Sequence, residues 1–241
     1  MKLRSPKAPA GLHVGEYLKQ LVDENPEIEA VSLMTYAMPP LLQARLDGSS
    51  AAWLIANGAL KLRDELSLPF WDAAMIRCFE VGKGAEDLLE AALFHQPAQR
   101  TRSLVNRGDF IRSAFGGIGA SGLGVAFCSE LLINGESRFM PLIDFHCPES
   151  GKNDLLVQSV CALLLQSEVA VFRSGKSYHA YALRAVSQEE LEERLVRALF
   201  FAPIIDRLYI IHQLIERCCA LRISATASKP TIPEFKFLTG A

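Results

Sequence analysis

The chain has 241 residues, of which 50% are hydrophobic and 22% are charged, and this composition excludes a disordered or fibrous protein. The formal net charge of −2 provides no overall positive field to attract nucleic acid, so any such binding must come from a local patch. No window of 18 apolar residues and no signal-peptide pattern occurs, and the six cysteines form no C-x-x-C pair. We therefore expect a cytoplasmic protein with free cysteines, no membrane partner and an oligomeric state that the sequence leaves open.

The first 97 residues have mainly helical periodicity. Residues 14–22 place apolar side chains three and four positions apart, SSAAWLIANGALKLRDEL begins with capping serines, and GAEDLLEAALFHQP has an acidic first turn and a terminal proline. We predict a helical N-terminal module over residues 1–97.

Residues 98–123 combine four arginines with a glycine-rich stretch, and they are predicted to form a junction. Gly117, Gly119 and Gly122 spell G-x-G-x-x-G, which suggests a dinucleotide-binding loop as an alternative. That loop requires a helix to follow it, whereas GVAFCSELLI reads as a strand. The pattern therefore favours a glycine-rich loop.

Residues 124–241 alternate between strand-like and helical segments. GVAFCSELLI, RFMPLIDFH, VAVFRSG, SYHAYALRAV and ALRIS are predicted strands, and helices are predicted between them. One helix opens with the capping-box pattern of Ser187 and Glu190. We predict an α+β domain here, a sheet flanked by helices.

The first polar cluster of this domain is Asp144 and His146 in LIDFH. They are two residues apart at the end of a strand, so their side chains share one face, where they are suited to bind a divalent cation or to orient a nucleophile. The structural alternative is that Asp144 caps a turn and His146 lies in the partial core.

The second cluster is the segment FRSGKSYH, where Lys176, Ser177 and His179 surround a turn. Cationic and hydroxyl groups beside exposed amides are suited to bind a triphosphate. An ordinary solvated hairpin turn explains the same residues equally well.

The third cluster is an acid at the start of an apolar helix. Asp206, in the first turn of that helix, is suited either to a structural role, in which its charge is favourable against the helix macrodipole, or to face a metal ion. Arg222 and Lys229 flank the last predicted strand and could meet a phosphate.

The order of these clusters resembles the archaeo-eukaryotic primase superfamily, the primase-polymerases. Members of that family have a first motif D-x-D, a second motif S-x-H and a third acid after an apolar residue. LIDFH resembles the first motif, with Asp144 and His146, SGKSYH the second, with Ser177 and His179, and IID the third, with Asp206. The resemblance covers residues 124–230.

The resemblance implies an RRM-like mixed sheet and metal-dependent nucleotidyl transfer on DNA or RNA from nucleoside triphosphates. It implies that Mg²⁺ or Mn²⁺ is held at the first and third motifs, and that His179 contacts phosphates. Catalytic and metal-binding roles then fall to Asp144, His146 and Asp206, and nucleotide binding to Lys176, Ser177, His179 and Arg222. The first motif here offers a single aspartate with a histidine, which weakens Mg²⁺ binding relative to Mn²⁺.

Two other functions are compatible with the sequence. One is a catalytically degenerate primase-like module that binds a nucleotide or nucleic acid without extending it. The other is a scaffold whose apolar helices serve oligomerisation.

Overall fold

The computed structural model of the chain describes residues 1–37, 46, 49–68, 70–81, 84–92, 100–115, 123–226 and 229–240. The chain divides into two compact units, one formed by Met1–Met38 with Ala98–Ala241 and the other by Pro39–Pro97. The described residues form eight α-helices and two antiparallel sheets, which confirms the predicted α+β class. The G-x-G-x-x-G segment at residues 117–122 lies outside the described residues.

The first sheet of the larger unit has five strands. Strands β1 (Ile28–Tyr36), β2 (Arg100–Asn106), β3 (Gly124–Ile133) and β4 (Glu136–Phe139) are arranged in the order β2-β1-β3-β4. The short strand β8 (Ala220–Arg222) also pairs with β3, where Ala126 lies opposite Arg222. One face of this sheet therefore carries Arg222 beside the first half of β3.

The second sheet has the order β5-β7-β6-β9. Its strands are β5 (Leu142–Asp144), β6 (Val169–Arg173), β7 (Tyr178–Ala182) and β9 (Glu234–Thr239). All five residues of β7 are buried, as expected for a strand with neighbours on both sides. The rings of Phe127 on β3 and Tyr181 on β7 lie 6.5 Å apart, so the two sheets share one hydrophobic core.

Five helices belong to the larger unit. They are α1 (Val14–Glu24), α5 (Arg107–Arg112), α6 (Gly151–Leu165), α7 (Gln188–Ala198), which a 3₁₀ turn at Leu199–Phe201 follows, and α8 (Arg207–Glu216). The capping box predicted at Ser187 and Glu190 is confirmed, since each side chain accepts a hydrogen bond from the backbone N–H of the other residue. Local sequence alone therefore sets the start of α7.

The smaller unit is helical in its described part. Helices α2 (Ser50–Leu66), α3 (Phe70–Val81) and α4 (Ala85–Ala92) pack around small apolar side chains such as Ala59, Ala73 and Ala74. Ser49 caps α2 by accepting a hydrogen bond from the N–H of Ala52 at 3.2 Å. None of the described helices combines the length and the apolar character needed to cross a membrane.

The smaller unit ends at residue 97, but residues 1–38 belong to the larger unit together with residues 98–241. Residues 28–36, predicted within the helical module, form the strand β1, and residues 100–106, predicted as junction, form its neighbour β2. Strand β1 lies between β2 and β3 with five consecutive buried residues, 30–34, so it lacks the polar alternation that marks a half-buried strand. Short apolar runs of this kind do not distinguish a strand from a helix.

Candidate functional site

Strand pairing in the second sheet brings the first two predicted motifs together. Asp144 at the end of β5 lies directly opposite His179 on β7, and their side chains therefore share a face. The distance from Asp144 Oδ1 to His179 Nε2 is 3.7 Å. This is contact range for opposite charges but longer than a hydrogen bond.

Asp206, the third motif, lies next to Asp144 because its backbone pairs with the residues that follow β5. Phe145 forms an isolated antiparallel bridge with Ile205, and the N–H of Asp206 donates to the carbonyl of Asp144 at 3.2 Å. The Asp206 carboxylate caps α8, where its Oδ1 accepts hydrogen bonds from the N–H groups of Leu208 and Tyr209 at 2.9 and 3.2 Å. Asp206 is therefore the N-cap of α8, one residue before the first turn in which the sequence pattern placed it, and it lies next to Asp144.

Arg222 completes this group from the first sheet. The residue is 7% exposed, and its guanidinium donates to the carbonyls of Ser224 at 2.6 Å and Thr231 at 2.7 Å. A longer hydrogen bond, 3.3 Å, reaches the carbonyl of Ser174 in the turn between β6 and β7. We refer to Asp144, His179, Asp206 and Arg222 as the Asp144 cluster.

Burial controls the ionisation of the Asp144 cluster. Desolvation raises the pKa of Asp144 from 3.8 to about 7, with repulsion from Asp206 adding to it and attraction to Lys229 and Arg222 opposing it. Desolvation lowers the pKa of His179 from 6.5 to about 3, and the positive charges of Arg222 and Lys229 lower it further. Near neutral pH, His179 is therefore uncharged and Asp144 is close to half ionised.

The other three predicted site residues lie outside the direct contacts of the Asp144 cluster. His146 is exposed, and its N–H donates to the carbonyl of Ile204 at 2.7 Å, next to the bridge that carries Asp206. Lys176 is exposed in the β6–β7 turn, and the hydroxyl of Ser177 lies 3.2 Å from that of Ser174. The turn thus contributes local hydrogen bonds and an exposed cation.

Comparison with protein families identifies this segment. Residues 120–234 match a family model described as AEP-like, archaeo-eukaryotic primase 1D-like. This segment is a divergent archaeo-eukaryotic primase-like domain. Its limits lie within four residues of the predicted resemblance at each end, and all seven predicted site residues fall inside it. Searches of curated proteins and of solved structures found no match.

The match supports a primase-related function associated with nucleic acid for residues 120–234, which we call the primase-like domain. The elements that build the Asp144 cluster, from β5 to β8, all lie within the matched segment. Strands β1 and β2 lie before it, although they pair with β3 in one sheet. The primase-like domain is therefore completed by chain that the family model does not match.

The primase family implies a divalent cation, which needs several oxygen or nitrogen donors close together. No group of three or more His, Cys, Asp or Glu side chains within the described ranges is arranged to hold a metal ion. In nucleotide enzymes, however, Mg²⁺ is commonly held by one or two carboxylates together with substrate phosphates. Asp144 and Asp206 meet this smaller requirement, because their backbones are bonded and their charges interact. Asp144 and Asp206 are thus two neighbouring carboxylates that could hold a cation only together with other ligands, such as substrate phosphates.

Two tyrosines beside the Asp144 cluster were not predicted. Tyr181 follows His179 by two positions on β7, and its buried hydroxyl has no hydrogen-bond partner among the described residues. Tyr36, at the end of β1, lies near enough to Arg222 for the positive charge to act on its phenol. The two-residue spacing from His179 was a signal for Tyr181, whereas Tyr36 depends on a strand pairing that local pattern does not reveal.

Proposed function

We propose that the primase-like domain binds a nucleoside triphosphate with a divalent cation at the Asp144 cluster and transfers the nucleotide to a nucleic-acid strand. The observation that carries this proposal is the meeting of Asp144, Asp206 and His179, which come from three separate motifs. Because the three motifs are more than sixty positions apart at their extremes, only the fold brings them together.

The two carboxylates support the cation part of the proposal. Asp144 is mostly buried, with 26% of its side chain exposed, and it lies beside a second acid. A divalent cation would favour the ionised form of both acids and, when bound, supplies Lewis-acid stabilisation of phosphoryl oxygens. His146, exposed on the continuation of β5, would add a nitrogen donor. Nitrogen is a better ligand for Mn²⁺ than for Mg²⁺, so we expect Mn²⁺ to support the reaction better.

The cationic side chains support the triphosphate part. Arg222 is held rigidly by three carbonyls, and its charge acts on both Asp144 and His179. The charge of Lys229 acts on the same two residues, and Lys229 and Lys176 are exposed. Fixed and exposed cations beside an acidic pair provide opposite charges for a metal-bound triphosphate.

The proposal is tested by incorporation of labelled nucleotides on primed DNA and RNA templates, with Mn²⁺ and Mg²⁺ in turn. We expect the wild-type protein to extend the primer, and Asp144→Asn and Asp206→Asn each to lower the rate by about 10²–10³-fold. Asparagine keeps the N-cap of α8, so Asp206→Asn removes the charge without removing the helix start. Asp109→Asn, at an exposed acid at the start of α5, is the matched control and should leave the rate unchanged.

The degenerate binding module is a second candidate, because the first motif supplies one aspartate and the Oδ1 atom of Asp206 is already used in the cap. This candidate predicts nucleotide binding that Asp144→Asn changes, without extension in either metal. Extension that both variants retain would refute nucleotidyl transfer at this site. A wild-type protein that neither binds nucleotide nor extends a primer would refute both candidates.

A further inference from the structure

Two cysteines lie side by side on the face of the first sheet that also carries Arg222. Cys128 is on β3, opposite Ala220 of β8, and Cys218 precedes β8 by two residues. This register makes Cys128 and Cys218 diagonal neighbours on one face. Both are free thiols, 0% and 2% exposed, and they share a small hydrophobic cluster with Met34 and Ala126.

Hydrogen bonds hold the two cysteines in this position. The N–H of Ser129 donates to the carbonyl of Cys219 at 2.7 Å, and the N–H of Cys219 donates to the Ser129 hydroxyl at 2.9 Å. The Ser129 hydroxyl also lies 3.4 Å from the sulfur of Cys218. The side chains of Cys128 and Cys218 lie in the same small buried cluster. The backbone on both sides of the pair is therefore fixed.

A guanidinium lies next to these thiols. Arg102 on β2 donates to the Ser32 hydroxyl at 3.0 Å and forms an ion pair with Glu130, and its charge acts on both cysteines. The neighbouring Cys128 thiol, with the Ser129 hydroxyl and the charge of Arg102, lowers the pKa of Cys218 against the effect of burial. Burial instead raises the pKa of Cys161 to about 12. The Cys218 thiol is thus more readily ionised than the Cys161 thiol, and the thiolate is the nucleophilic form of cysteine.

We propose that Cys128 and Cys218 form a reversible intramolecular disulfide when the protein meets a hydroperoxide. The Cys218 thiolate attacks a peroxide oxygen, the O–O bond breaks, and a sulfenic acid and hydroxide form. The Cys128 thiol then attacks that sulfur, an S–S bond forms, the S–O bond breaks and water leaves. Together, two thiols lose two electrons and two protons while one hydrogen peroxide becomes two waters. A dithiol reductant reverses the change by thiol exchange.

The bond would join β3 to the chain four residues before Arg222. Strand β8 has only three residues, so its attachment to β3 is short. A disulfide at this point would make the attachment covalent, and the arginine of the Asp144 cluster would be held next to a redox-sensitive link.

The test is peptide mapping of the folded, full-length protein after treatment with hydrogen peroxide, alkylation of free thiols and digestion with trypsin. Cys128 falls in the tryptic peptide 113–138, and Cys218 falls with Cys219 in the peptide 218–222. We expect these two peptides to be linked, with a mass two hydrogens below their sum, and to separate after treatment with dithiothreitol. Cys161, buried in α6, is the matched control and should remain alkylatable.

Because the peptide 218–222 contains two cysteines, variants are needed to show which of them is linked to Cys128. Cys218→Ser should lose the linked peptide and Cys219→Ser should keep it, with circular dichroism to check that each variant is folded. Should a variant fail to fold, fragmentation of the linked wild-type peptide distinguishes Cys218 from Cys219. Alkylation of Cys128 in the peroxide-treated wild type, linkage through Cys219, or linkage only between two molecules would each overturn the proposal.

Discussion

The charge states of Asp144 and His179 give the most specific prediction from this structure. In the folded chain the pKa of Asp144 is raised from 3.8 to about 7 and that of His179 is lowered from 6.5 to about 3, both chiefly by burial. Between roughly pH 4 and 6.5, the folded protein thus holds two neutral groups that the unfolded chain would ionise.

The two groups change stability in opposite directions with pH. Folded Asp144 keeps a proton that the unfolded chain releases above pH 3.8, so its contribution falls as pH rises towards about 7. The unfolded chain protonates His179 below pH 6.5 while the folded chain does not, so its contribution falls as pH drops from 6.5 towards about 3. In the wild-type protein these slopes largely cancel where they overlap.

Substitution of one residue at a time separates the pH dependence of stability due to Asp144 from that due to His179. Each pH unit between the folded and unfolded pKa corresponds to about 1.4 kcal/mol, so the gap at Asp144 corresponds to at most about 4 kcal/mol. We expect the free energy of unfolding of Asp144→Asn to rise relative to that of the wild type as pH increases to about 7. Above pH 7 the difference between the two should stay constant. His179→Gln should show the mirror image, with an advantage that grows below pH 6.5.

The measurement is urea unfolding of both variants and the wild type between pH 4.5 and 8, with a chelator present so that no divalent cation binds the acids. The opposite result at Asp144→Asn, a disadvantage that grows with pH, would refute the reasoning. It would mean that the 3.7 Å contact with His179 is an ion pair of carboxylate and imidazolium rather than a pair of desolvated neutral groups.

Three further predictions concern the framework around the Asp144 cluster, each measured by urea unfolding. Asp206→Ala should lower the free energy of unfolding by about 1 kcal/mol through loss of the α8 cap, whereas Asp206→Asn should lose far less, and equal losses would contradict a capping role. On α6, Leu164→Ala should cost about 2–5 kcal/mol because Leu164 is 4% exposed, and Leu163→Ala, at 68% exposure, should stay within about 0.5 kcal/mol. Gly124→Ala should cost about 1–3 kcal/mol because the new Cβ would lie 2.6 Å from the Tyr36 ring, and a second change, Tyr36→Leu, should recover part of that loss.

The candidate site was largely predictable because each of its motifs is local. Asp144, His179 and Asp206 were identified from the order and spacing of short polar clusters, and the structure brings all three together with Arg222. The burial of individual side chains was not predictable in the same way. His146 shares a strand face with Asp144 by spacing, yet it is exposed, while Tyr181 at a similar spacing from His179 is buried. Spacing sets the face of a strand, and neighbouring elements decide what covers it.

By itself, the sequence determined the features that depend on neighbouring residues: the α+β class, the capping box of α7, the acid at the start of α8 and the family resemblance. Only the tertiary structure decided that β1 and β2 complete the first sheet, that Asp144 lies opposite His179, and that Cys128 and Cys218 share one buried cluster. A helix cap is made within one turn of chain, so its signal is local. Strand pairing joins residues far apart in sequence, and its register follows from the burial of whole faces that no short window contains.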